Sequence, residues 1–447
     1  MPPPASRLSP LAVIGAGWAG MAAAVELASA GAPVTVFEAA RTLGGRARRV
    51  DVNGLALDNG AHILVGAYRE TLRLLRLVRG TDTGLRTLPL DLHVHGRFRL
   101  RAPALPAPLH LAAGLLTARG LRWGERIAAA RFMQSMRATG FRIDTDVTVA
   151  DLLTRHAQGE NARRYLWEPL CVAALNTPPE AASARVFLNV LRDSLNGARA
   201  DSQMLLPGED LSRLFPDPAC RYVEARGGRI LPGRAVKQVR TTEAGFEILT
   251  GDGIERFHRV VCALPPYRVP DVLGGLAPMR PVLDQIAALR HEPICTVYLQ
   301  YPPQVRIPQP MLGLAGGLAQ WVFDRGQLCG QWGLLAVVIS AHGAHEDLDH
   351  PALAAAVHAE LQQAFPALPG PPAWSKVITE QRATFACTPG LSRPPQRTPL
   401  AGLYLAGDYT ESPYPGTLEA AVRSGITCAR LALADQPARA DAAPASA

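Results

Sequence analysis

Cysteine is sparse in this chain and forms no metal-binding or disulfide pattern. The seven cysteines lie far apart along 447 residues, and no two of them form a Cys-x-x-Cys pair. An odd number of widely spaced cysteines is typical of reduced, buried thiols and not of a disulfide framework or a zinc site. The histidines of residues 341–361 also lack the spacing with carboxylates that a zinc site needs. We therefore expect no metal site.

Aromatic residues are few, at 6% of the chain, and basic residues outnumber acidic ones. The 46 Lys and Arg against 38 Asp and Glu give a net charge of +8. A basic protein can bind nucleic acid, an anionic membrane or small anions. The arginines here are scattered and have few aromatic neighbours, so no nucleic-acid partner is expected. An anionic membrane surface and anionic ligands remain as explanations of the charge.

Targeting and membrane-spanning segments are not evident either. The first ten residues, MPPPASRLSP, contain no charged stretch followed by an apolar one, so no signal peptide is expected. Beyond the first forty residues no apolar run approaches the ~20 residues of a transmembrane helix. Residues 435–447 are rich in Ala and Pro and predict a disordered tail. The chain is long enough for at least two domains.

One nearly uncharged stretch, Leu11–Phe37, resembles a membrane segment in composition but contains a nucleotide-binding motif. Three of its glycines form G-x-G-x-x-G: Gly15, Gly17 and Gly20. The motif follows a strand-like run, Leu11–Ile14, and opens a helix-like run, Met21–Ala30. In this context the glycines permit a tight turn, close approach of a pyrophosphate, and packing of the helix on the strand. The N–H groups at the start of the helix then face the phosphates.

A second strand and an acidic residue complete the βαβ unit. Pro33–Phe37 is strand-like, and Glu38 follows it where a ribose-binding carboxylate is expected. The alternative, a glycine-rich turn in a transmembrane hairpin, is disfavoured because Gly31, Pro33 and Glu38 interrupt the run. The segment therefore predicts a dinucleotide site.

The next segment, AARTLGGRARRV, indicates which dinucleotide is bound. Paired glycines, Gly44 and Gly45, allow another close approach of backbone, and Arg46 and Arg48 can offer forked donors to phosphate. A nicotinamide enzyme has no evident need for this second clamp, whereas FAD follows a longer path and does.

These motifs in this order resemble the flavin-containing amine oxidase and phytoene desaturase superfamily. Matching segments recur as RILPGRAVKQV at 229–239, VVCALPP at 260–266, GLYLAGD at 402–408 and GTLEAAVRSG at 416–425. The resemblance implies non-covalent binding of FAD, with Val236 at the adenine through its backbone. The implied cofactor-binding residues are Gly15, Ala16, Gly17, Trp18, Ala19, Gly20, Glu38, Ala39, Arg41, Gly44, Gly45, Arg46, Asn59, Gly60, Ala61, Val236, Ala263, Gly407, Asp408, Gly416, Thr417 and Leu418.

The positions of these segments imply the domain organisation. The expected fold is α/β, with a discontinuous Rossmann-like FAD-binding domain and an α+β substrate-binding domain of the amine oxidase and phytoene desaturase type. The FAD-binding domain would comprise residues 8–69, 218–275 and 397–434, and the substrate-binding domain residues 70–217 and 276–396. Within the latter, Leu334–Ser340 predicts a buried strand, Arg185–Asp193 a helix, and residues 341–361 a surface helix.

Three further stretches resemble one family within the superfamily, the hydroxysqualene dehydroxylases. They are LDNGAHILVGAYRE at 57–70, WEPLCVAALNTPPEAASARVFLNVLRD at 167–193 and ATFACTP at 383–389. Two residues depart from the expected pattern: Ala61 replaces a Gln, and Cys387 replaces a small residue such as Ala. The residues around Cys387 lack the glycine-rich run expected of a covalent flavin attachment site.

The resemblance implies the reaction of hydroxysqualene with reduced FAD to give squalene, water and oxidised FAD, with hydride passing from flavin N5 to an allylic cation. The substrate would be an apolar thirty-carbon isoprenoid, and a separate electron donor would reduce the flavin. The alternatives are a carotenoid or phytoene desaturase and a non-catalytic prenyl carrier of the GDP-dissociation-inhibitor type. An amine oxidase is disfavoured because aromatic residues are few.

The implied chemistry needs a proton donor for the leaving hydroxyl group. Asp58 and His62 are candidates because, by resemblance, their segment passes the flavin ring; Glu168 is a third. Each has a structural alternative: Asp58 as the cap of a turn at Asn59–Gly60, His62 as a core histidine, and Glu168 as the helical partner of Arg163 or Arg164.

An apolar segment with interleaved arginines, Leu105–Phe132, could contact a membrane. The alternative is an ordinary pair of helices broken near Gly120. Because the implied substrate dissolves in bilayers, we expect a cytoplasmic protein that is peripheral at the inner face of the cytoplasmic membrane.

Overall fold

A computed structural model describes residues 9–435. Leu8 and all of the predicted disordered tail except Asp435 lie outside these residues. The strands are β1 (Leu11–Ile14), β2 (Val34–Glu38), β3 (Arg49–Val52), β4 (Leu55–Asp58), β5 (Leu64–Val65), β6 (Leu85–Leu88), β7 (Asp91–Val94), β8 (Phe98–Arg101), β9 (Met204–Pro207), β10 (Arg229–Pro232), β11 (Gln238–Thr242), β12 (Gly245–Thr250), β13 (Gly253–Phe257), β14 (Arg259–Cys262), β15 (His291–Gln300), β16 (Met311–Gly313), β17 (Trp321–Asp324), β18 (Leu334–Ser340), β19 (Trp374–Phe385) and β20 (Leu403–Leu405).

The α-helices are α1 (Trp18–Ser29), α2 (Arg69–Arg79), α3 (Leu109–Leu116), α4 (Trp123–Ala138), α5 (Val149–Arg155), α6 (Glu160–Ala162), α7 (Glu168–Leu175), α8 (Ala184–Leu195), α9 (Leu211–Leu214), α10 (Pro216–Glu224), α11 (Val269–Leu273), α12 (Arg280–Ala287), α13 (Arg325–Cys329), α14 (His350–Ala364) and α15 (Leu418–Ala434). A π-helical turn, Arg163–Trp167, leads into α7.

A five-stranded parallel sheet has the order β10-β2-β1-β14-β20. Its strands come from the N-terminal, middle and C-terminal parts of the chain. The central strand β1 is buried along its whole length, which explains why it is a continuous apolar run. The predicted strand, helix and strand of residues 11–38 are confirmed, and the fold class is α/β as expected.

Helix α1 packs closely against α15 on one face of this sheet. Small residues make the approach possible: a Cβ at Gly425 would lie 2.0 Å from Ala19 O. Alanines at 22–24 of α1 are fully buried in the same cluster as Val422 and Ala429 of α15. The uncharged composition of α1 therefore reflects burial between helix and sheet.

A second, mixed sheet of seven strands has the order β19-β15-β18-β17-β16-β7-β8. Strand β18 coincides with the predicted Leu334–Ser340. Its side chains alternate between two faces: Val337 and Ile339 pack with α14 in one core cluster, and Val338 and Ser340 line the cavity described below. Strands β11, β12 and β13 form a separate antiparallel sheet.

The surface helix predicted over 341–361 begins later than expected, at His350. Asp349 caps it by accepting from Ala352 N at 2.8 Å, and Pro351 occupies its first turn. Residues 341–349 instead contain a 3₁₀ turn, Ala344–Asp347. The predicted helix over 185–193 lies within α8. No helix among residues 9–435 is long and apolar enough to cross a membrane.

Candidate functional site

A cavity of about 590 Å³ lies where the carboxyl ends of the parallel strands meet the seven-stranded sheet. Gly15, Ala263 and Gly407, which follow β1, β14 and β20, line one side of it. Ile294 and Val338 of the second sheet line another. Ligands of open α/β sheets bind at this carboxyl edge.

The first glycine turn is closed to side chains. Gly15 has φ +103°, and a Cβ there would lie 2.7 Å from Ala263 O. A Cβ at Gly20 would lie 1.9 Å from Gly15 O. Gly17 caps α1 without a side-chain hydrogen bond, so the first N–H groups of the helix are available at the cavity wall. This arrangement is an anion site suited to a pyrophosphate.

The second glycine pair lies against the first turn. Gly44 N donates to Ala16 O at 2.9 Å, and Gly17 and Gly44 form a β-bridge. Gly45 has φ +62°, and a Cβ there would lie 3.1 Å from Gly17 Cα. The two turns therefore touch through backbone.

Arg46 connects this turn to the C-terminal part of the chain. Its Nη2 donates to Asp408 Oδ1 at 2.5 Å and its Nη1 to Ala383 O at 2.6 Å. Burial opposes the charge on Arg46, but Asp408 and Glu380 outweigh burial and raise its pKa. A fixed positive charge thus stands in the cavity wall beside the two glycine turns.

Glu38 is held at the end of β2 by two backbone donors. Its Oε2 accepts from Ala16 N at 2.7 Å, and its Oε1 accepts from Ala40 N at 2.8 Å. A carboxylate oriented in this way can accept hydrogen bonds from ribose hydroxyls.

A second helix N-terminus reaches the same cavity. Thr417 caps α15 by accepting from Ala420 N at 3.2 Å, and Gly416, Thr417 and Leu418 line the cavity. Glu419 is fully buried and accepts from Thr71 N at 2.9 Å, which fixes this first turn against α2. The positive ends of two helix dipoles therefore face one elongated space.

Most of the predicted cofactor-binding residues surround this space. Lining it are Gly15, Gly17, Trp18, Ala19, Glu38, Ala39, Gly44, Gly45, Arg46, Asn59, Gly60, Ala61, Ala263, Gly407, Asp408, Gly416, Thr417 and Leu418. Four predicted residues do not line it. Ala16 and Gly20 are buried behind the first turn, Arg41 is exposed to solvent, and Val236 packs against the core.

Asp58, a candidate proton donor from the sequence, does not line the cavity. Its Oδ2 accepts from Arg325 Nη1 at 3.0 Å and its Oδ1 from Leu211 N at 2.8 Å. Both oxygens of the carboxylate thus bond residues that are distant in sequence from the Asn59–Gly60 turn. The suggestion that Asp58 caps this turn is therefore wrong.

Glu168 also lies outside the cavity lining, although Ala173, Ala174 and Asn176 at the other end of its helix line it. Burial raises the pKa of Glu168, with Glu180 adding to the shift and Arg164 opposing it. Its carboxylate forms no ion pair within 4.0 Å among residues 9–435, so the arginine influences it only at longer range.

His62 is the one predicted catalytic residue that lines the cavity. Its Nδ1 lies 2.7 Å from Gly60 O, which identifies Nδ1 as the protonated nitrogen of the neutral ring. Nε2 is then the titrating nitrogen. Burial lowers the pKa of His62, opposed by the Gly60 carbonyl and by Asp58.

The sequence predicted only the strand Leu334–Ser340 of the apolar wall that lines this cavity together with the glycine turns. Ile63, Ala173, Ala174, Ile294, Trp321, Phe323, Val338 and Ala383 contribute to it, and Tyr68, Tyr267 and Tyr409 also line the cavity. The only available signal was the buried strand predicted at Leu334–Ser340. The low overall aromatic content gave the wrong impression of this site, because aromatic residues are concentrated there.

Asn176 organises this wall and was also missed. Its Nδ2 donates to Thr384 Oγ1 at 3.0 Å and to Pro293 O at 3.3 Å, and its Oδ1 accepts from Ala341 N at 2.8 Å. Asn176 also ends α7 in a left-handed conformation, with φ 48°. One side chain therefore joins α7 to three strand ends.

The donor set fits FAD. Two glycine turns that admit no Cβ, two helix N-termini, a carboxylate at the end of β2 and the Arg46–Asp408 pair all face one cavity. No group of three or more metal-binding side chains occurs in the described part of the chain.

Comparison with known proteins agrees with this geometry. The family model of flavin-containing amine oxidoreductases matches residues 18–433. The chain is 29% identical to hydroxysqualene dehydroxylase of Rhodopseudomonas palustris, over 94% of this chain and 98% of that protein. It is 26% identical to zeta-carotene desaturase of Synechocystis sp., over 95% and 97% of the two chains. Cyclohexylamine oxidase of Brevibacterium oxydans has a similar structure, with a TM-score of 0.66, 19% identity and coverage of 96% and 99%.

Proposed function

Because this chain belongs to the flavin-containing amine oxidoreductase family and is an FAD-dependent oxidoreductase, we propose that it reductively removes the hydroxyl group of hydroxysqualene to form squalene. The similarity to a hydroxysqualene dehydroxylase over 94% of the chain supports this choice within the family. The proposed role lies in squalene and hopanoid biosynthesis.

The observation that carries the proposal is the apolar wall of the cavity. Ile294, Trp321, Phe323 and Val338 face the same space as the FAD-binding turns. A wall of this composition suits a hydrocarbon chain and excludes water from the reacting carbon. No acidic side chain other than Glu38, Glu380 and Asp408 lines the cavity within residues 9–435, and each of these has its own hydrogen-bond donors.

The proposed reaction converts R–OH and reduced FAD into R–H, water and oxidised FAD. Reduced FAD, when bound, would supply the hydride that replaces the hydroxyl group. The C–O bond breaks as the oxygen takes up a proton and leaves as water. The chain must therefore provide one proton at the hydroxyl oxygen.

We assign this proton to Nε2 of His62. With Nδ1 at the Gly60 carbonyl, the ring is fixed and Nε2 is the position that gains or loses a proton. The lowered pKa makes the imidazolium a strong acid when it forms. Neither Asp58 nor Glu168 lines the cavity, so neither is retained as the donor.

We further propose the division into the two domains given above, with the cavity between them, and non-covalent FAD. An external electron donor would reduce the flavin. The apolar substrate would reach the cavity from the inner face of the cytoplasmic membrane, with which the protein would make peripheral contact.

A carotenoid desaturase is the second candidate, favoured by the similarity to zeta-carotene desaturase. It would use the same apolar wall but would run in the oxidative direction. A prenyl carrier is disfavoured because such a protein has no need of the complete FAD cradle.

The direction of flavin oxidation separates the candidates. Under anaerobic conditions we would add hydroxysqualene to the FAD-loaded protein reduced with dithionite, and phytoene to the same protein left oxidised. Reoxidation of flavin by hydroxysqualene, with squalene formed in equal amount, is expected. Bleaching of the oxidised protein by a carotenoid precursor, with no reaction of hydroxysqualene, would instead establish a desaturase.

A further inference from the structure

Large apolar side chains are exposed on the protein mainly in one place. Of eight such residues among residues 9–435, five lie between residues 105 and 127: Leu105, Leu109, Leu116, Trp123 and Ile127. Trp123 is 64% exposed and Leu109 is 56% exposed. A concentration of this kind marks an interaction surface, whereas single exposed apolar residues need no explanation.

The fold exposes two of these residues, Leu109 and Leu116, on the outer side of helix α3. His110 and Gly114 form the buried side of α3, and a Cβ at Gly114 would lie 3.2 Å from Arg101 O of β8. Leu109 and Leu116 occupy the opposite side. Helix α3 contains no Asp, Glu, Lys or Arg and its one histidine is buried, although three of its eight residues are exposed. A helix that is apolar on all sides is normally covered.

Helix α4 continues the same surface. Arg126 Nη1 donates to Leu116 O at 2.6 Å, and its guanidinium lies 4.9 Å from the centre of the Trp123 ring. The end of α3 and the start of α4 are thereby joined, with Ile127 next along the exposed side of α4.

Charge around this surface is strongly one-sided. Residues 91–144 contain nine arginines and three acidic residues, Asp91, Glu125 and Asp144, and Asp91 pairs with Arg99. Glu125 is only 5% exposed and pairs with Arg122 at 3.5 Å, whereas Arg119 and Arg131 have no acidic partner within 4.0 Å among residues 9–435. Arg119, shortly after α3, and Arg131, one turn beyond Ile127 on α4, are both exposed.

We propose that this apolar–basic face, formed by Leu105, Leu109, Leu116, Trp123 and Ile127 with Arg119 and Arg131, docks on an anionic phospholipid bilayer. The leucines and Trp123 would enter the boundary between headgroups and acyl chains, and the arginines would pair with lipid phosphates. The proposal gives the membrane contact of the proposed function a definite surface, but it depends only on this surface and not on the reaction.

The test is flotation of the full-length FAD-loaded protein with vesicles and without substrate. Vesicles would contain phosphatidylcholine alone or with an equal amount of phosphatidylglycerol. We expect binding to the anionic vesicles that weakens with salt, and much weaker binding to phosphatidylcholine. Because no substrate is present, failure of the proposed dehydroxylation would not affect the result.

Two pairs of variants locate the contact. The double variant Leu109→Asn with Leu116→Asn should bind anionic vesicles at least tenfold more weakly, because two leucine side chains would no longer pass from water into the bilayer. Arg119→Gln with Arg131→Gln should weaken binding to anionic vesicles about tenfold or more and reduce its salt dependence. All four side chains face solvent, so the thermal unfolding midpoint should change little.

Matched controls carry the same changes elsewhere. Leu77 and Ile254 are exposed to 40% and 52%, and Arg256 and Arg280 are both 80% exposed. L77N/I254N and R256Q/R280Q should bind vesicles like the unmodified protein. Equal loss in the controls, or unchanged binding of L109N/L116N, would overturn the proposal. So would a dimer in solution that dissociates in L109N/L116N while no variant binds vesicles, because a second copy would then cover the face.

Discussion

Asp58 and Arg325 form a buried ion pair between parts of the chain that are 267 residues apart, with Arg325 Nη1 donating to Asp58 Oδ2 at 3.0 Å. Their side chains are 3% and 6% exposed. Burial opposes the charge on Arg325, but the Asp58 carboxylate outweighs it and raises the pKa of the guanidinium. Tyr298 also donates to Asp58 O at 2.9 Å. The pair therefore fixes the end of β4, from which the cavity-lining residues 59–63 continue.

We predict that Arg325→Met is strongly destabilising. It leaves the Asp58 carboxylate buried without its cation, which typically costs about 3–5 kcal/mol. The double variant D58L/R325M should be more stable than R325M, because no unpaired charge remains. Urea unfolding of the FAD-loaded variants measures both changes. Arg280→Met breaks an exposed pair with Asp284 and should change stability by about 0.5 kcal/mol or less; a similar loss in R325M would contradict the prediction.

The sequence was informative where the residues that act together are close in the chain. The turn at 15–20 carries its strand, glycines and helix within one motif, so its geometry could be predicted without a partner. Asp58 shows the opposite case. Nothing near it in sequence identifies Arg325, and its position before Asn59 suggested a site residue or a turn cap. Val236 does not line the cavity, and its contact with the adenine stays a prediction.

The apolar wall could not be predicted from composition. Trp321 and Phe323 belong to one short strand, Ile294 to another and Ala173 to a helix, and only the order of the seven-stranded sheet brings them together. The apolar run Leu334–Ser340 predicts a buried strand but does not say which of its two faces a ligand meets. The sequence therefore indicated the cofactor more clearly than the substrate.

We predict that Glu38→Ala weakens FAD binding. The substitution removes the acceptor of Ala16 N and Ala40 N together with the proposed ribose contact, and hydrogen bonds to a charged group contribute about 1.5–3 kcal/mol. The dissociation constant for FAD should rise roughly tenfold to a hundredfold. Fluorescence titration of the flavin-free protein measures it. Glu243→Ala, on an exposed hairpin turn, is the control, and equal affinities of the two variants would refute the role of Glu38.

We predict that His62→Gln slows flavin reoxidation by hydroxysqualene about 100-fold or more, the usual contribution of a positioned acid. The protonated form of His62 is lost as pH rises through its lowered pKa, so the rate should fall with increasing pH in a range below 6.5. The variant should lose this dependence while it retains FAD. Stopped-flow spectra at several pH values provide the measurement. An unchanged pH profile in H62Q would assign the proton to another group.

The same histidine predicts how stability depends on pH. Because burial lowers the pKa of His62 below 6.5, the unfolded chain binds more protons between the lowered pKa and 6.5. The contribution of His62 to the free energy of unfolding is complete above pH 6.5 and is lost as pH falls to the lowered pKa. His342 has the opposite sign, since its hydrogen bond to Glu346 raises its pKa. On acidification the thermal unfolding midpoint should therefore fall less in H62N, and more in H342N, than in the unmodified protein. Midpoints that change with pH in the same way in all three proteins would exclude both effects.

We predict that Asn176→Ala destabilises the protein more than Asn176→Gly. Both remove the side chain that bonds Thr384 Oγ1 and Ala341 N, and a buried group left unpaired costs about 1–3 kcal/mol. Only alanine is also strained at φ 48°. Differences in unfolding midpoint between the two variants isolate the backbone term. If N176G were the less stable, the left-handed conformation would not be the limiting feature.

We predict that all FAD leaves the protein when it is denatured. Cys387 is the residue that could be compared with a covalent attachment site, but it is 2% exposed and does not line the cavity. Burial raises the pKa of its thiol to about 12, so a reactive thiolate is not available near neutral pH. Its backbone N–H donates to Thr177 Oγ1 at 3.0 Å, which indicates a packing role beside Asn176.

Unfolding in guanidinium followed by filtration should recover the flavin in the filtrate, and Cys387→Ala should hold the same amount of FAD before unfolding. Flavin that stays with the unfolded chain in the unmodified protein but not in C387A would prove a covalent bond, and the cradle of glycine turns and helix ends would then not be the only means by which FAD is held.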